Sequence, residues 1–386
     1  MPHRLTPRDL IDRLVAFPTV SRDSNLPLVD WVEDYLDGHG ICAHRVWNED
    51  RTKAALYAHV GPEETGGVIL SGHTDVVPVD GQAWTSDPWV VTERDGRLYG
   101  RGTCDMKGFD ALAIWALVEA RAAGVRRPLQ LALSYDEEVG CIGAPPMIAA
   151  MAAHLPRASA VIVGEPSRMK AVTGHKGGSG FKVHVRGHEV HSSLLPQGIS
   201  AIMEAARLIM WANDTNTILQ AAPREGVAAL FDPPFTTLHT GMIEGGTAHN
   251  ITAGDCRFSF EFRVVPGESK DGWETRFRAE CARVEAAMRA VHPACAVTVE
   301  RYFTLPPLEP ETDGAAETLV RRLTGDNARH VVSYGTEAGQ FQAEGYSAVV
   351  CGPGDIAQAH QADEYIEVAE FQAGQGFMRR LLAELA

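Results

Sequence analysis

Residues 129–140 read LQLALSYDEEVG, an apolar run that carries Asp136, Glu137 and Glu138 side by side at its end. A strand apolar on both faces belongs in a sheet that is covered on both sides. Three adjacent carboxylates repel one another, and a metal, a proton or solvent has to relieve that repulsion. Runs of the same kind are ALYAHVG (55–61), GVILSGHTDVV (67–77) and AVIVGE (160–165), with SAVVCGPG (347–354) near the C-terminus. Between them KGFDALAIWALVEARAAG (107–124) reads as a helix closing on a glycine, and APPMIAAMAAHL (144–155) as another. The alternation predicts an α/β fold: a mainly parallel sheet covered by helices on both faces. The chain opens on a helix signal, with Thr6 as N-cap, Pro7 at the first helical position and Asp9 at the third.

The middle of the chain has a different pattern. After the glycine-rich joint HKGGSG (175–180) come strand FKVHVRG, helix ISAIMEAARLIMWAND, strands TTLHTGMIEGG and DCRFSFEFRVV, helix GWETRFRAECARVEAAMRA and strand CAVTVERYFT. That order is β-α-β-β-α-β, an α+β split βαβ unit. Over 255–265 Cys256, Phe258, Phe260, Phe262 and Val264 alternate with Arg257, Ser259, Glu261 and Arg263, the signature of a half-exposed strand. The Pro-rich joint LPPLEP (305–310) ends this region. The predicted organisation is a discontinuous α/β domain, 1–176 and 305–386, interrupted by an inserted domain over 177–304.

A net charge of −15 argues against nucleic acid or an anionic membrane surface as partner. No apolar stretch approaches the ~18 residues that cross a bilayer. The N-terminus has no signal-peptide pattern. The seven cysteines are scattered, odd in number and without a C-x-x-C pair, which predicts reduced, cytoplasmic usage.

Several motifs fail on inspection. HEVH (188–191) is not the zinc-protease H-E-x-x-H, because Ser192 stands where the second His is needed. GRGTCDMKG (100–108) has Asp105 in place of the third Gly of a dinucleotide fingerprint. What remains is a set of donors at strand ends. His73 and Asp75 sit two apart in SGHTDVVP, so on a strand they share a face. Asp105 precedes a helix, Glu137 and Glu138 close one strand, Glu165 ends another, and His360 follows the last in GPGDIAQAHQADE. Ligands gather at the carboxyl ends of such strands. Singly, each has a bland role: Asp75 as a turn residue, Asp105 as a helix N-cap, the others as solvated groups. Together they are the hard and borderline ligand set of a two-metal hydrolase.

The set SGHTDVVP, GRGTCDMKG, DEEVG, GEPS and QAHQADE, with HSS and EFR in the inserted domain, resembles the zinc-dependent aminoacylase and carboxypeptidase family along almost the whole chain. The resemblance implies an amidohydrolase with two zinc ions, for which cobalt can substitute. It makes His73 and Glu165 ligands of one metal, Glu138 and His360 ligands of the other, and Asp105 the bridge. It implies a cis Asp105–Met106 peptide, Asp75 orienting His73, and Glu137 as general base. Asp136 is left as a supporting or solvated residue. The inserted domain becomes a lid and dimerisation domain, its His191 stabilising an oxyanion, usually in the partner subunit of a homodimer. Asn250 and Arg263 resemble the groups that hold a substrate carboxylate. Relatives carry a small residue where this chain has Glu189.

Within the family, YGTEAGQFQAEGYSAVVCGPGDIAQAHQADEY is most similar to the acetylornithine deacetylases. This implies removal of an acetyl group from N-acetylornithine, a step of arginine biosynthesis. Thr336, Glu337 and Gly352 are the substrate-side candidates of this segment, with Glu337 and Asp355 as acids available to an ammonium group. N-acetyl-diaminobutyrate, succinyl-diaminopimelate or a dipeptide would use the same metal site. A metal-binding protein without catalysis would be expected to lose its base, and Glu137 is present.

Overall fold

A computed structural model describes residues 3–386. These form two units: one runs to Gly174 and resumes over Leu308–Val331 and Thr336–Ala386, the other comprises His175–Pro307 and Val332–Gly335. The first unit opens as its sequence predicts. Thr6 caps the helix Pro7–Val15, its hydroxyl accepting from Asp9 N while the Asp9 carboxylate accepts from Thr6 N.

Among the described residues this unit has an eight-stranded sheet. Its order is Ala43–Trp47, Ala54–Val60, Leu129–Ser134, Val68–His73, Ala160–Pro166, Ala348–Gly352, Val172–His175 and His330–Val332. The four strands from Leu129–Ser134 to Ala348–Gly352 are parallel, and antiparallel strands flank them. Every residue of Val68–His73, Leu129–Ser134 and Ala160–Pro166 is buried, as runs apolar on both faces require. One face packs Leu56, Leu70, Leu131, Leu133 and Ile162 against helices Pro7–Val15, Leu26–Gly38, Lys107–Ala123 and Val368–Leu385. Helices Ala144–His154 and Ala338–Ala343 cover the other with Met147, Ile148, Met151 and Phe341. Each fully buried Leu or Ile contributes ~1.5–3 kcal/mol. Many such side chains can therefore support an edge of costly buried carboxylates.

Helix Lys107–Ala123 presses so closely on the sheet that a Cβ at Gly164 would lie 2.0 Å from the Phe109 ring. Glycine before Glu165 is thus a packing requirement. The helix ends, as expected, with Gly124 left-handed at φ 69°. No helix among the described residues is long and apolar enough to cross a membrane.

The second unit is an antiparallel sheet in which Thr237–His239 and Ile243–Gly245 both pair with Asp255–Val264, followed by Gly177–Arg186 and Ala296–Leu305. Helices Ala201–Ala221 and Lys270–Val291 cover the face bearing Phe258, Phe260 and Phe262, and Phe260 stacks on Phe277 at 3.8 Å. Two readings change. HKGGSG is largely strand rather than joint: Gly177–Gly180 begin Gly177–Arg186. Its glycines admit neighbours, since a Cβ at Gly180 would lie 2.2 Å from the Phe303 ring. The stretch TTLHTGMIEGG is two strands. His239 pairs with Glu261 and Ile243 with Phe258, so one extra residue bulges out opposite Ser259, whose hydroxyl accepts from Gly241 and Met242.

Candidate metal centre

The parallel strands deliver the predicted donors to one edge. Val68–His73 ends on His73, Leu129–Ser134 leads into Asp136–Glu138, Ala160–Pro166 carries Glu165, and Ala348–Gly352 leads towards His360. Asp105 comes from the turn before helix Lys107–Ala123, and the Asp105–Met106 peptide is cis. Asp105 lies between the two histidines: His73 Nε2 is 3.1 Å from Oδ1, and His360 Nε2 is 3.1 Å from Oδ2. His73 Nε2 is also 3.7 Å from Glu165 Oε1, and His360 Nε2 3.0 Å from Glu138 Oε2. Donor atoms of His73, Asp105 and Glu138, and those of His73, Glu137 and Glu165, converge within 4.8 Å.

Charge is far from balanced in this pocket. Burial, with Glu138 and Asp105 adding repulsion, pushes Glu137 up to about 8. Burial and the Asp105 charge push Glu138 up to about 7, and burial raises Glu165 well above the carboxylate range. Hydrogen bonds to Asp105 and Glu138 raise His360 to about 10. Asp105 moves the other way: burial opposes its charge, but the bonds from His360 and His73 hold it below the usual range. Such a cluster needs protons or other cations to be stable. Among the described residues, Glu138 Oε1 and Glu165 Oε1 are buried with no hydrogen-bond partner. Unsatisfied buried carboxylate oxygens are costly. Imidazole nitrogens and carboxylate oxygens at these spacings fit dications such as zinc.

The three carboxylates of SYDEEVG have three separate settings. Glu138 turns to His360, and Glu137 accepts from the Cys141 thiol at 3.2 Å. Asp136, in the left-handed region at φ 57°, pairs with Lys53, whose ammonium also donates to Ser21 O. Asp75 faces His73 with its backbone oxygen as well as its carboxylate. His73 Nδ1 meets the Asp75 backbone oxygen at 2.9 Å, while the carboxylate is 3.5 Å away. That carboxylate accepts from Ser21 Oγ at 2.7 Å, Glu137 N at 3.1 Å and Glu138 N at 3.4 Å. Asp75 thus fixes the turn that carries the proposed base.

The C-terminal candidates Thr336, Glu337 and Gly352 are all buried. Glu337 is a fully buried acid rather than a solvated one, accepts from Ser134 Oγ, and is pushed by burial up to about 8. Thr336 is buried, and its hydroxyl accepts from Ala338 N. Gly352 has its backbone spent: its N–H donates to Ser167 Oγ, and its carbonyl accepts from Ser167 N and Met169 N. A Cβ there would lie 1.9 Å from Gly164 O, so Gly352 serves strand packing.

His191, Asn250 and Arg263 all belong to the second unit. The first two are neighbours, both exposed: His191 bridges to Ile251, and Ser192 N donates to Asn250 O. His191 Nδ1 is 2.8 Å from Ser193 Oγ. Glu189 lies over Gly254. Arg263 is at the other end of the sheet, opposite Gly178, whereas the His188–Asn250 region adjoins the pair Arg186–Asp255. Eight residues of strand span roughly 27 Å. One small substrate cannot touch Asn250 and Arg263 of the same inserted unit.

Sequence reasoning passed over Glu364 and Arg101, both fully buried and paired at 2.6 Å. Glu364 stood four residues after His360, but nothing in its spacing marked it as buried. Lys107 is also buried, donates to Phe17 O at 2.7 Å, and is brought by burial down to about 7.

A two-unit chain with a carboxylate–histidine cluster at the edge of a parallel sheet defines a metal-dependent hydrolase. The chain belongs to Peptidase family M20/M25/M40, whose profile matches residues 69–384. It is 38% identical over 382 residues to an acetylornithine deacetylase of Myxococcus xanthus, covering 97% of this chain and 96% of that one. It is 31% identical over 381 residues to an acetylornithine deacetylase of Proteus mirabilis, covering 97% and 95%. Its fold matches an M20 family metallo-carboxypeptidase from Sulfolobus solfataricus with a TM-score of 0.78, at 15% identity and 98% coverage of each chain. The protein is therefore a metal-dependent hydrolase that acts on amide bonds.

Proposed function

We propose that the protein is a di-zinc deacylase of N-acyl amino acids, with N-acetylornithine as its main substrate. The observation that carries the two-metal reading is Asp105, whose two oxygens each lie 3.1 Å from a different histidine. His73 and Glu165 would hold one ion, Glu138 and His360 the other, and Asp105 both. Bound metals would supply Lewis acidity, making water a nucleophile near neutral pH and polarising the amide carbonyl. Glu137 takes the proton from the attacking water and delivers it to the nitrogen as the C–N bond breaks. Asp75 keeps Glu137 aimed through its amide.

His191 donates to the oxyanion that forms at the carbonyl, and Asn250 and Arg263 hold the substrate carboxylate. Because Asn250 and Arg263 lie at opposite ends of the lid sheet, the site is completed by a second subunit in a homodimer. The likeness to the acetylornithine deacetylases supports the substrate and a place in arginine biosynthesis in the cytoplasm. The test is hydrolysis of a panel: N-acetylornithine, N-acetylmethionine, N-acetyl-diaminobutyrate, succinyl-diaminopimelate and several dipeptides. The expected result is deacetylation of N-acetylornithine or another short N-acetyl amino acid, with weak action on the succinyl compound. A clear preference for succinyl-diaminopimelate or dipeptides would sink the substrate reading.

A further inference from the structure

We propose that Glu364 is a positioning residue for the metal centre, locking the Asp105 turn and, through Arg101 and Gln82, the His360 loop into one frame. The inference rests on the metal-hydrolase reading above. One oxygen of Glu364 accepts three backbone amides of a single turn: Gly102 N at 3.0 Å, Cys104 N at 3.0 Å and Asp105 N at 3.1 Å. Its other oxygen accepts from Arg101 Nη1 at 2.6 Å, and its carbonyl from Gly100 N at 3.0 Å. Every residue from Gly100 to Asp110 is buried. The turn ending in the bridging aspartate is thus built around a carboxylate from the far end of the chain.

The frame continues to the second histidine. Arg101 Nη2 donates to Gln82 Oε1 at 2.6 Å, and Gln82 Nε2 donates to the backbone oxygen of His360 at 3.1 Å. The loop needs such a tie. His360 has a side chain 53% exposed and a backbone at φ 63°, so packing alone does little to hold it. Asp363 adds a second tie, accepting from Thr85 N at 2.8 Å and Thr85 Oγ1 at 2.9 Å.

A buried ion pair is weak evidence for stability, since apolar residues of similar volume often serve as well. What apolar residues cannot do is orient three amide donors and a guanidinium. A metal site tolerates only small displacements of its ligands, and outer partners of ligands typically govern affinity by 10–100-fold. Glu364 and Gln82 contact no donor atom of the cluster, and Gln82 carries no charge, so an effect of Gln82 on metal would come through placement, while Glu364 adds its buried charge near Asp105 to the same role.

The test is titration of the metal-free protein with Co²⁺, followed by its d–d absorption, for wild type, Glu364→Gln and Gln82→Ala. Glu364→Gln keeps the size of the side chain but sets an amide donor or a neutral oxygen against Arg101. Gln82 is half-buried in a loop, so its variant retains the fold even if Glu364→Gln does not. The expected result is cobalt binding about 10–100-fold weaker in each folded variant, with an altered d–d spectrum and unchanged far-ultraviolet dichroism. Amides of Gly102, Cys104 and Asp105 should also exchange faster in metal-free Glu364→Gln. A folded variant that binds cobalt as tightly as wild type, with the same spectrum, would overturn the inference alone. Wild-type protein that takes up no cobalt would overturn the metal-hydrolase reading and this inference with it.

Discussion

The turn that carries Asp105 and the turn that carries His191 are built on opposite plans. In the first, Gly100–Asp110 is buried throughout, and the amides of Gly102, Cys104 and Asp105 all point at Glu364. In the second, His191–Gln197 is exposed and held mainly by backbone bonds, such as His188 N to Ile199 O and Ser192 N to Asn250 O. The difference fits the work proposed for each. Groups that hold a cation must be assembled in advance, because their mutual repulsion is paid during folding. A group that meets a developing oxyanion needs only the right donor at the right moment, and has to leave room for substrate to enter and leave.

The largest effects should therefore come from the buried side, and two neighbouring residues can divide them. Glu137→Ala is expected to keep the metal content of wild type and lose ~10²–10⁴-fold in kcat, the usual cost of a lost general base. Glu138→Ala, one residue on, should lose metal, because it removes the carboxylate beside His360. Metal analysis by plasma mass spectrometry alongside steady-state kinetics separates the two. Metal loss in Glu137→Ala with retention in Glu138→Ala would reverse their roles. That outcome has a structural basis to exploit, since Glu137 converges with His73 and Glu165.

The buried plan is also the one the sequence discloses. Fully apolar runs ending in His73, Glu165 or Glu137–Glu138 leave few alternatives to a covered sheet with chemistry at its edge. Glu364 and Arg101 could not be found this way. They are 263 residues apart, and a charged residue is buried by its partner rather than by any local pattern. The same holds for Glu337, which looks solvated until Ser134 and the sheet enclose it. In the inserted unit, the alternation of residues 255–264 set the strand and its faces. The bulge opposite Ser259 and the strand made from HKGGSG depended on what approached those residues from the side.

The next effect probes the exposed turn. If His191 serves the partner's reaction, His191→Ala should lose ~10²–10³-fold in kcat. Mixing it with Glu137→Ala under conditions that exchange subunits should then recover activity. A mixed dimer has one site with both Glu137 and a His191 from its partner, so random pairing restores roughly a quarter of wild-type activity. If His191 acts within its own chain, no mixed dimer contains a complete site. Absence of recovery after demonstrated exchange would rule out the shared site.

The smallest effect should come from the third carboxylate of the same run. Asp136 stands beside Glu137, yet it faces Lys53, whose ammonium also holds Ser21 O. Ser21 in turn donates to Asp75 at 2.7 Å, so the ion pair lies two hydrogen bonds away from the residue that holds the amide of the proposed base. Burial raises the Asp136 carboxyl somewhat and Lys53 opposes that shift, as expected of a partly enclosed pair doing structural service. Asp136→Asn keeps the size and one acceptor but removes the charge. It should lower stability by about 1–2 kcal/mol, between the values for exposed and buried pairs, read as a shift in urea midpoint. Metal content should stay at wild-type level and kcat within about threefold, a change of less than 1 kcal/mol in the barrier. A loss of metal, or a fall in kcat comparable to that of Glu137→Ala, would show that all three carboxylates belong to the reaction rather than two of them.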